Sequence, residues 1–125
     1  MAEPIGKRCW AIAEGYIPGT SHGSGRAFVS HETACLLNTG DREAKVTIMI
    51  YFSDQEPVGP YRVTVPARRT LHLRFNDLED PKPIPRDRDY SSVITSNVPI
   101  VVQHTRLDSR AAELALLSTM AYAAE

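Results

Sequence analysis

The chain has 125 residues, 42% of them hydrophobic, with 14 Lys or Arg against 15 Asp or Glu and a formal net charge of -1. That length suits one domain, residues 1–125, able to bury about two thirds of its unfolded surface without metal or disulfide support, and the near-neutral balance supplies no overall field toward nucleic acid or an anionic membrane. No apolar run approaches the roughly 20 residues of a membrane-spanning helix, residues 1–8 lack the apolar core of a signal peptide, and Cys9 and Cys35 read as reduced thiols of a soluble, cytoplasmic protein.

Residues 7–13 carry the first strand signal, in which alternation puts Trp10, Ile12 and Glu14 on one face. Residues 16–26, YIPGTSHGSGR, are rich in Gly, Ser and Pro without apolar periodicity and are expected to form a mobile loop. A strand over 32–38 and a turn at Thr39-Gly40-Asp41 follow. In 44–54, Val46, Ile48, Ile50 and Phe52 alternate with Thr47, Met49 and Tyr51, the period-two pattern of a half-buried strand. Turn chemistry at 57–60 and 66–68 brackets a short strand at 61–65, and in 70–76 the residues Leu71, Leu73 and Phe75 alternate with Thr70, His72 and Arg74. The segment 77–88, with Pro81, Pro83 and Pro85, is expected to be stiff and extended.

Two further strands are expected over 90–96 and 99–107. The stretch 98–110, VPIVVQHTRLDSR, passes from aliphatic to polar without losing its alternation, so Ile100, Val102, His104 and Arg106 share one face. Burying a polar head without a partner costs about 2 to 7 kcal/mol, and more for a charge, so His104 and Arg106 must meet complementary groups. Residues 113–124 have helical propensity, with Leu114, Leu117 and Ala121 on one face, yet twelve such residues are marginal as an isolated helix and yield easily to tertiary pairing. Seven or eight short strands with this punctuation predict an all-β fold, a single-domain antiparallel β-sandwich of jelly-roll type.

Three constellations invite chemistry. Gly19-Thr20-Ser21-His22-Gly23 matches the G-x-S-x-G nucleophile elbow but has neither the strand before it nor the helix after it that the motif requires. The four histidines form no local His-x-His or His-x-x-x-His pair and there is no Cys-x-x-Cys, so neither a metal nor any other cofactor is expected. The third constellation uses strand geometry. Trp10 and Glu14, His72 beside Arg74, and His104 with Arg106, joined by His31 and Asn76, compose a candidate binding site for a small polyhydroxyl ligand. In such a site an aromatic ring stacks on C–H faces while polar groups bond hydroxyls. A core tryptophan with separate structural ion pairs accounts for the same residues. Asp108 and Arg110, continuing the Arg106 alternation, suit an ion-pair ladder at a subunit seam. Arg62, Arg68, Arg69 and Arg74 supply only a modest basic stripe for DNA.

The blocks WAIAEGYIP (10–18), SHET (30–33), IYFSDQEPVGPYRVTVPARRTLHLRFNDL (50–78), DPKPIPRDRDY (80–90) and VPIVVQHTRLDSR (98–110) resemble the soluble sensory rhodopsin transducer family of the Anabaena type. The resemblance covers nearly the whole chain and departs mainly at 19–26. It implies a cytoplasmic all-β homotetramer in which residues 113–122 contribute a strand instead of a helix. It further implies a non-catalytic signalling role: docking on the cytoplasmic side of a membrane-embedded sensory rhodopsin, with light altering the association. The family's likeness to carbohydrate-binding modules implies a small polar ligand as an alternative function, and a link to transcription through DNA has been entertained for it.

Overall fold

The computed structural model describes residues 3–23 and 25–124; Ser24, within the loop expected over 16–26, lies outside the described residues. Eight strands follow in chain order: β1 (Lys7–Ile12), β2 (His31–Asn38), β3 (Ala44–Tyr51), β4 (Val58–Val65), β5 (Arg69–Arg74), β6 (Ser91–Asp108), β7 (Ala115–Met120) and β8 (Tyr122–Ala123). Two 3-10 turns, Arg26–Phe28 and Phe75–Asp77, are the helical elements among the described residues.

The β6 strand organises the rest. Its 18 residues extend about 60 Å at roughly 3.3 Å per residue, enough to serve two layers in succession. The first part, from Ser91 to Ser96, pairs with β3 on one side and β1 on the other, giving a layer ordered β4-β3-β6-β1-β8. The second part, from Val101 to Asp108, pairs with β2 and β7, giving a layer ordered β5-β2-β6-β7. All of these pairings are antiparallel.

The sequence suggested two strands here, and the structure joins them. Pro99 is tolerated because residues 97–99 lie between the two registers, where a missing N–H breaks no ladder bond. The change of partner needs close approach, and Gly6 supplies it. At φ 117°, a Cβ on Gly6 would sit 1.9 Å from the Ile100 carbonyl oxygen, beside the register shift between Lys7 and Cys9. A second correction concerns 57–60, expected as a turn. Val58 already belongs to β4, and Gly59 (φ 148°) packs on Met49 and the Ile48 carbonyl where the β3–β4 register shifts.

One core joins the layers. Trp10, Val46, Ile48, Ile50 and Ile94 from the first meet Ala34, Leu36, Ile100 and Val102 from the second. The proline-rich connection, expected to be extended, bends at 80–81 and again at 86–87, where Asp87 has φ 60°, and it is tied down: Ile84 is buried, and the Tyr61 hydroxyl donates to the Lys82 carbonyl at 2.7 Å. It also binds the other long connection, through Asp87 N–H to the Ile17 carbonyl (2.8 Å) and Tyr90 N–H to the Gly15 carbonyl (2.9 Å). Residues 113–124 form β7 and β8, because six successive residues of β7 pair with β6 and tertiary ladder bonds outweigh a marginal helical preference. No helix among the described residues is long and apolar enough to cross a membrane.

Candidate functional site

Period two along β6 turns His104 and Arg106 toward the same side as Ile100 and Val102, and period two along β2 does the same for Glu32 beside Ala34 and Leu36. The antiparallel register sets Arg106 opposite Glu32 and His104 opposite Ala34. The partner that the β6 pattern demanded is therefore Glu32. Its carboxylate is fully buried; Oε1 takes a hydrogen bond from His104 Nε2, and Oε2 takes one from Arg106 Nε. Oε2 also accepts the Tyr16 backbone N–H at 3.3 Å.

From that centre the network runs outward. Arg106 is 21% exposed and donates through Nη2 to Glu14 at 2.6 Å, and Glu14 is 64% exposed. Behind it, Asn76 accepts the Glu32 backbone N–H at 3.2 Å and donates to the Ser30 carbonyl at 3.0 Å. Burial opposes the Arg106 charge, but the bonds to Glu32 and Glu14 outweigh it and the guanidinium pKa is raised. The chain of groups is a hydrogen-bonded path from core to solvent, with both carboxylate oxygens and the backbone N–H of Glu32 engaged.

A hollow of about 390 Å³ opens at the outer end of this path, lined in part by Glu14, Gly15, Tyr51, Phe52, Asp89 and Tyr90. Tyr90 stacks edge-on against Phe75 at 5.6 Å, and its ring lies so close to Gly15 that a Cβ there would be 2.6 Å away. Its hydroxyl is buried without a hydrogen-bond partner among the described residues. Burial pushes the phenol pKa well above its ordinary value, and the Glu32 charge pushes it further.

The residues singled out from sequence are thus distributed. Glu14, His104, Arg106 and Asn76 converge on Glu32. Trp10 is in the core at 6% exposure, its indole N–H shared between the Lys7 carbonyl (3.0 Å) and the Ile100 carbonyl (3.1 Å). It shares its inward face with Ile12, whereas Glu14 lies beyond the end of β1. His31 and His72 stand together on the outer face of the second layer, away from the network. Asp108 and Arg110 pair with each other, Arg110 Nη2 to Asp108 Oδ2 at 2.6 Å, and the guanidinium lies 5.6 Å from the Tyr16 ring centroid. Among the described residues no cluster of three His, Cys, Asp or Glu is placed to hold a metal. Glu32, Tyr16 and Tyr90 escaped the sequence reading. For Glu32 a signal existed: an acid in register with Ala34 and Leu36 on an apolar strand face.

Comparisons with known proteins place this architecture. No curated protein matches the chain. Among solved structures, it is similar to one named "Anabaena sensory rhodopsin transducer", with 67% identity and a TM-score of 0.73, over 81% of this chain and 98% of that one. It is also similar to one described as "Crystal Structure of Thermotoga maritima 1070", with 39% identity and a TM-score of 0.84, over 94% of each chain. The family model described as Anabaena sensory rhodopsin transducer matches residues 5–123, and the chain belongs to that family of signalling transducers.

Proposed function

We propose that this protein, acting as one transducer domain in the cytoplasm, binds the cytoplasmic face of a microbial sensory rhodopsin and reports its light state through altered association. The carrying observation is the 67% identity to a sensory rhodopsin transducer over 81% of the chain. The mechanism needs only differential affinity. If the dark and illuminated receptor differ about tenfold in affinity, roughly 1.4 kcal/mol, the bound fraction changes measurably with light.

The homotetramer belongs to the same proposal. All six residues of β7 are exposed, Leu116 at 70% and Met120 at 54%, and Tyr122 of β8 is 72% exposed. A strand that, among the described residues, pairs on one side only and shows apolar side chains on both faces suits burial against a second copy. The Asp108–Arg110 pair sits where β6 meets β7 and is assigned to that seam. Repeated copies of one docking surface would add weak receptor contacts through avidity. The test is retention of the purified protein on rhodopsin-containing membranes in darkness and in light, with oligomer mass measured alongside. Different retention is expected, and equal retention refutes the mechanism.

The hollow beside Glu14, lined also by Tyr51, Phe52 and Asp89, favours a second reading, a small polar, carbohydrate-like ligand held between aromatic and carboxylate side chains. Tyr51→Ala should weaken saccharide binding while leaving the fold intact, because Tyr51 is 43% exposed at the end of β3 and its ring is available for stacking. Unchanged binding by this variant in a titration monitored by NMR refutes that reading.

A further inference from the structure

The outer face of the second layer carries a separate site. Period two turns His31, Thr33 and Cys35 of β2 outward, and the register sets Arg74 and His72 of β5 opposite Thr33 and Cys35. On the other flank, Thr105 of β6 lies opposite Thr33. These six residues line an open hollow of about 320 Å³. Two imidazoles, a guanidinium, two hydroxyls and a thiol face it, and no carboxylate is among them.

The surrounding contacts hold these groups in place. Arg74 Nη1 donates to the Arg26 carbonyl at 2.8 Å, and His31 Nδ1 lies 2.6 Å from the Val29 carbonyl. Asp77, the acidic neighbour acting on Arg74, is already gripped by Arg26 at 2.5 and 3.3 Å. Arg74 is half-buried and its pKa is lowered, first by burial and then by the Arg26 charge, so a bound anion would relieve its electrostatic burden. At the floor, Thr105 shares a hydrogen bond of 3.1 Å with Ser118, which also accepts from Gln103 at 3.0 Å.

We propose that this hollow binds a phosphate-class oxyanion, with Arg74, His31 and His72 supplying charged or N–H contacts and Thr33 and Thr105 supplying hydroxyl donors. A guanidinium fork beside hydroxyls matches the geometry of phosphate oxygens. The hollow is roomier than orthophosphate alone requires and leaves space for the organic group of an esterified phosphate. Such a phosphate has two sources: a free phosphomonoester or a lipid headgroup. The 3-10 turn that Arg74 and His31 hold at the rim exposes Phe28 (52%) and Val29 (39%), an apolar edge suited to a lipid surface.

The experiment has two arms at constant ionic strength, so that screening is not mistaken for binding. In the first, inorganic phosphate is titrated against chloride while histidine proton signals are followed. The His31 and His72 signals should shift and saturate while that of buried His104 stays. In the second, cosedimentation with phosphatidylglycerol vesicles is compared with phosphatidylcholine vesicles. Arg74→Gln should weaken binding about tenfold or more in whichever arm responds, as expected for loss of a charge-assisted bond. His72→Gln, at an exposed position that does not threaten folding, should weaken it in the same arm. Response to phosphate without response to vesicles assigns the site to a free phosphate ligand; response to vesicles, reduced by Phe28→Ser, identifies the lipid. Silence in both arms, or binding unchanged by both Arg74→Gln and His72→Gln, overturns the proposal.

Discussion

Replacing Glu32 tests the structural core of the candidate site. Glu32→Ala removes one fully buried carboxylate and with it the acceptor for His104, Arg106 and the Tyr16 N–H. Stranding one member of a buried ion pair costs about 3 to 5 kcal/mol. Arg106 is 21% exposed and keeps Glu14 at 2.6 Å, which places its share at the low end. His104, only 2% exposed, loses its acceptor without access to water, a further penalty of about 1 to 3 kcal/mol. Because both penalties arise from the same carboxylate they do not simply add, and a loss of about 4 kcal/mol is expected. Against a typical total of about 5 to 15 kcal/mol, the variant would keep about 1 kcal/mol at the low end of that range and about 11 kcal/mol at the high end. Glu32→Gln preserves volume and one carbonyl acceptor and should lose about 2 kcal/mol. Urea unfolding at neutral pH, with linear extrapolation and a comparison of slopes, measures both. Glu14→Gln is the control: at 64% exposure its bond to Arg106 should contribute less than about 1 kcal/mol. A loss below about 1 kcal/mol for Glu32→Ala, or equal losses for the Glu14 and Glu32 amides, would refute the assignment of Glu32 as the network's centre.

Gly6→Ala should destabilise by roughly 3 kcal/mol or more, since its Cβ would overlap the Ile100 carbonyl at a φ of 117°; a thermal unfolding midpoint unchanged from wild type refutes this. Absorbance titration should show Tyr90 and Tyr61 ionising above the ordinary phenol value of 10.0, because burial raises both. The associated stability is fully present below that value and is lost as pH rises through the higher folded one, so alkaline unfolding should accompany the last phenolate to appear. Asp108 behaves oppositely: its hydrogen bonds to Arg110 lower its pKa, giving a contribution present above 3.8 and lost as pH falls through the folded value. Comparing Asp108→Asn with wild type in acid should show a difference of no more than about 1 kcal/mol that vanishes at low pH; a difference that grows there refutes it. Leu116→Glu should lower the oligomer mass without altering the circular dichroism of the fold, and an unchanged mass removes β7 from the interface.

Period-two patterning was enough to read the all-β architecture, because a strand with one face toward a core must alternate whatever it pairs with. Val46, Ile48 and Ile50 show it plainly in β3, and Ile100, Val102, His104 and Arg106 carry it through β6. The same reasoning required a partner for His104 and Arg106 without naming one. The recognisable blocks of sequence placed the chain in its family, and through that the strand at 113–122, which propensity alone would have made a helix.

Register, partner and exposure were settled only by tertiary structure. Glu32 is 72 residues from His104 in sequence, and it is the β2–β6 pairing that brings their side chains together. Whether 90–96 and 99–107 were one strand or two depended on a change of neighbours around Pro99, which no local pattern encodes. Trp10 and Glu14 share an alternation but part company because β1 ends at Ile12. His31 and His72 meet on the opposite surface from the charge network because Cys35 pairs with His72 while Ala34 pairs with His104. Alternation is a property of one strand and so is legible along the chain, whereas the meeting of side chains is a property of two strands in register and becomes definite only when the layers assemble.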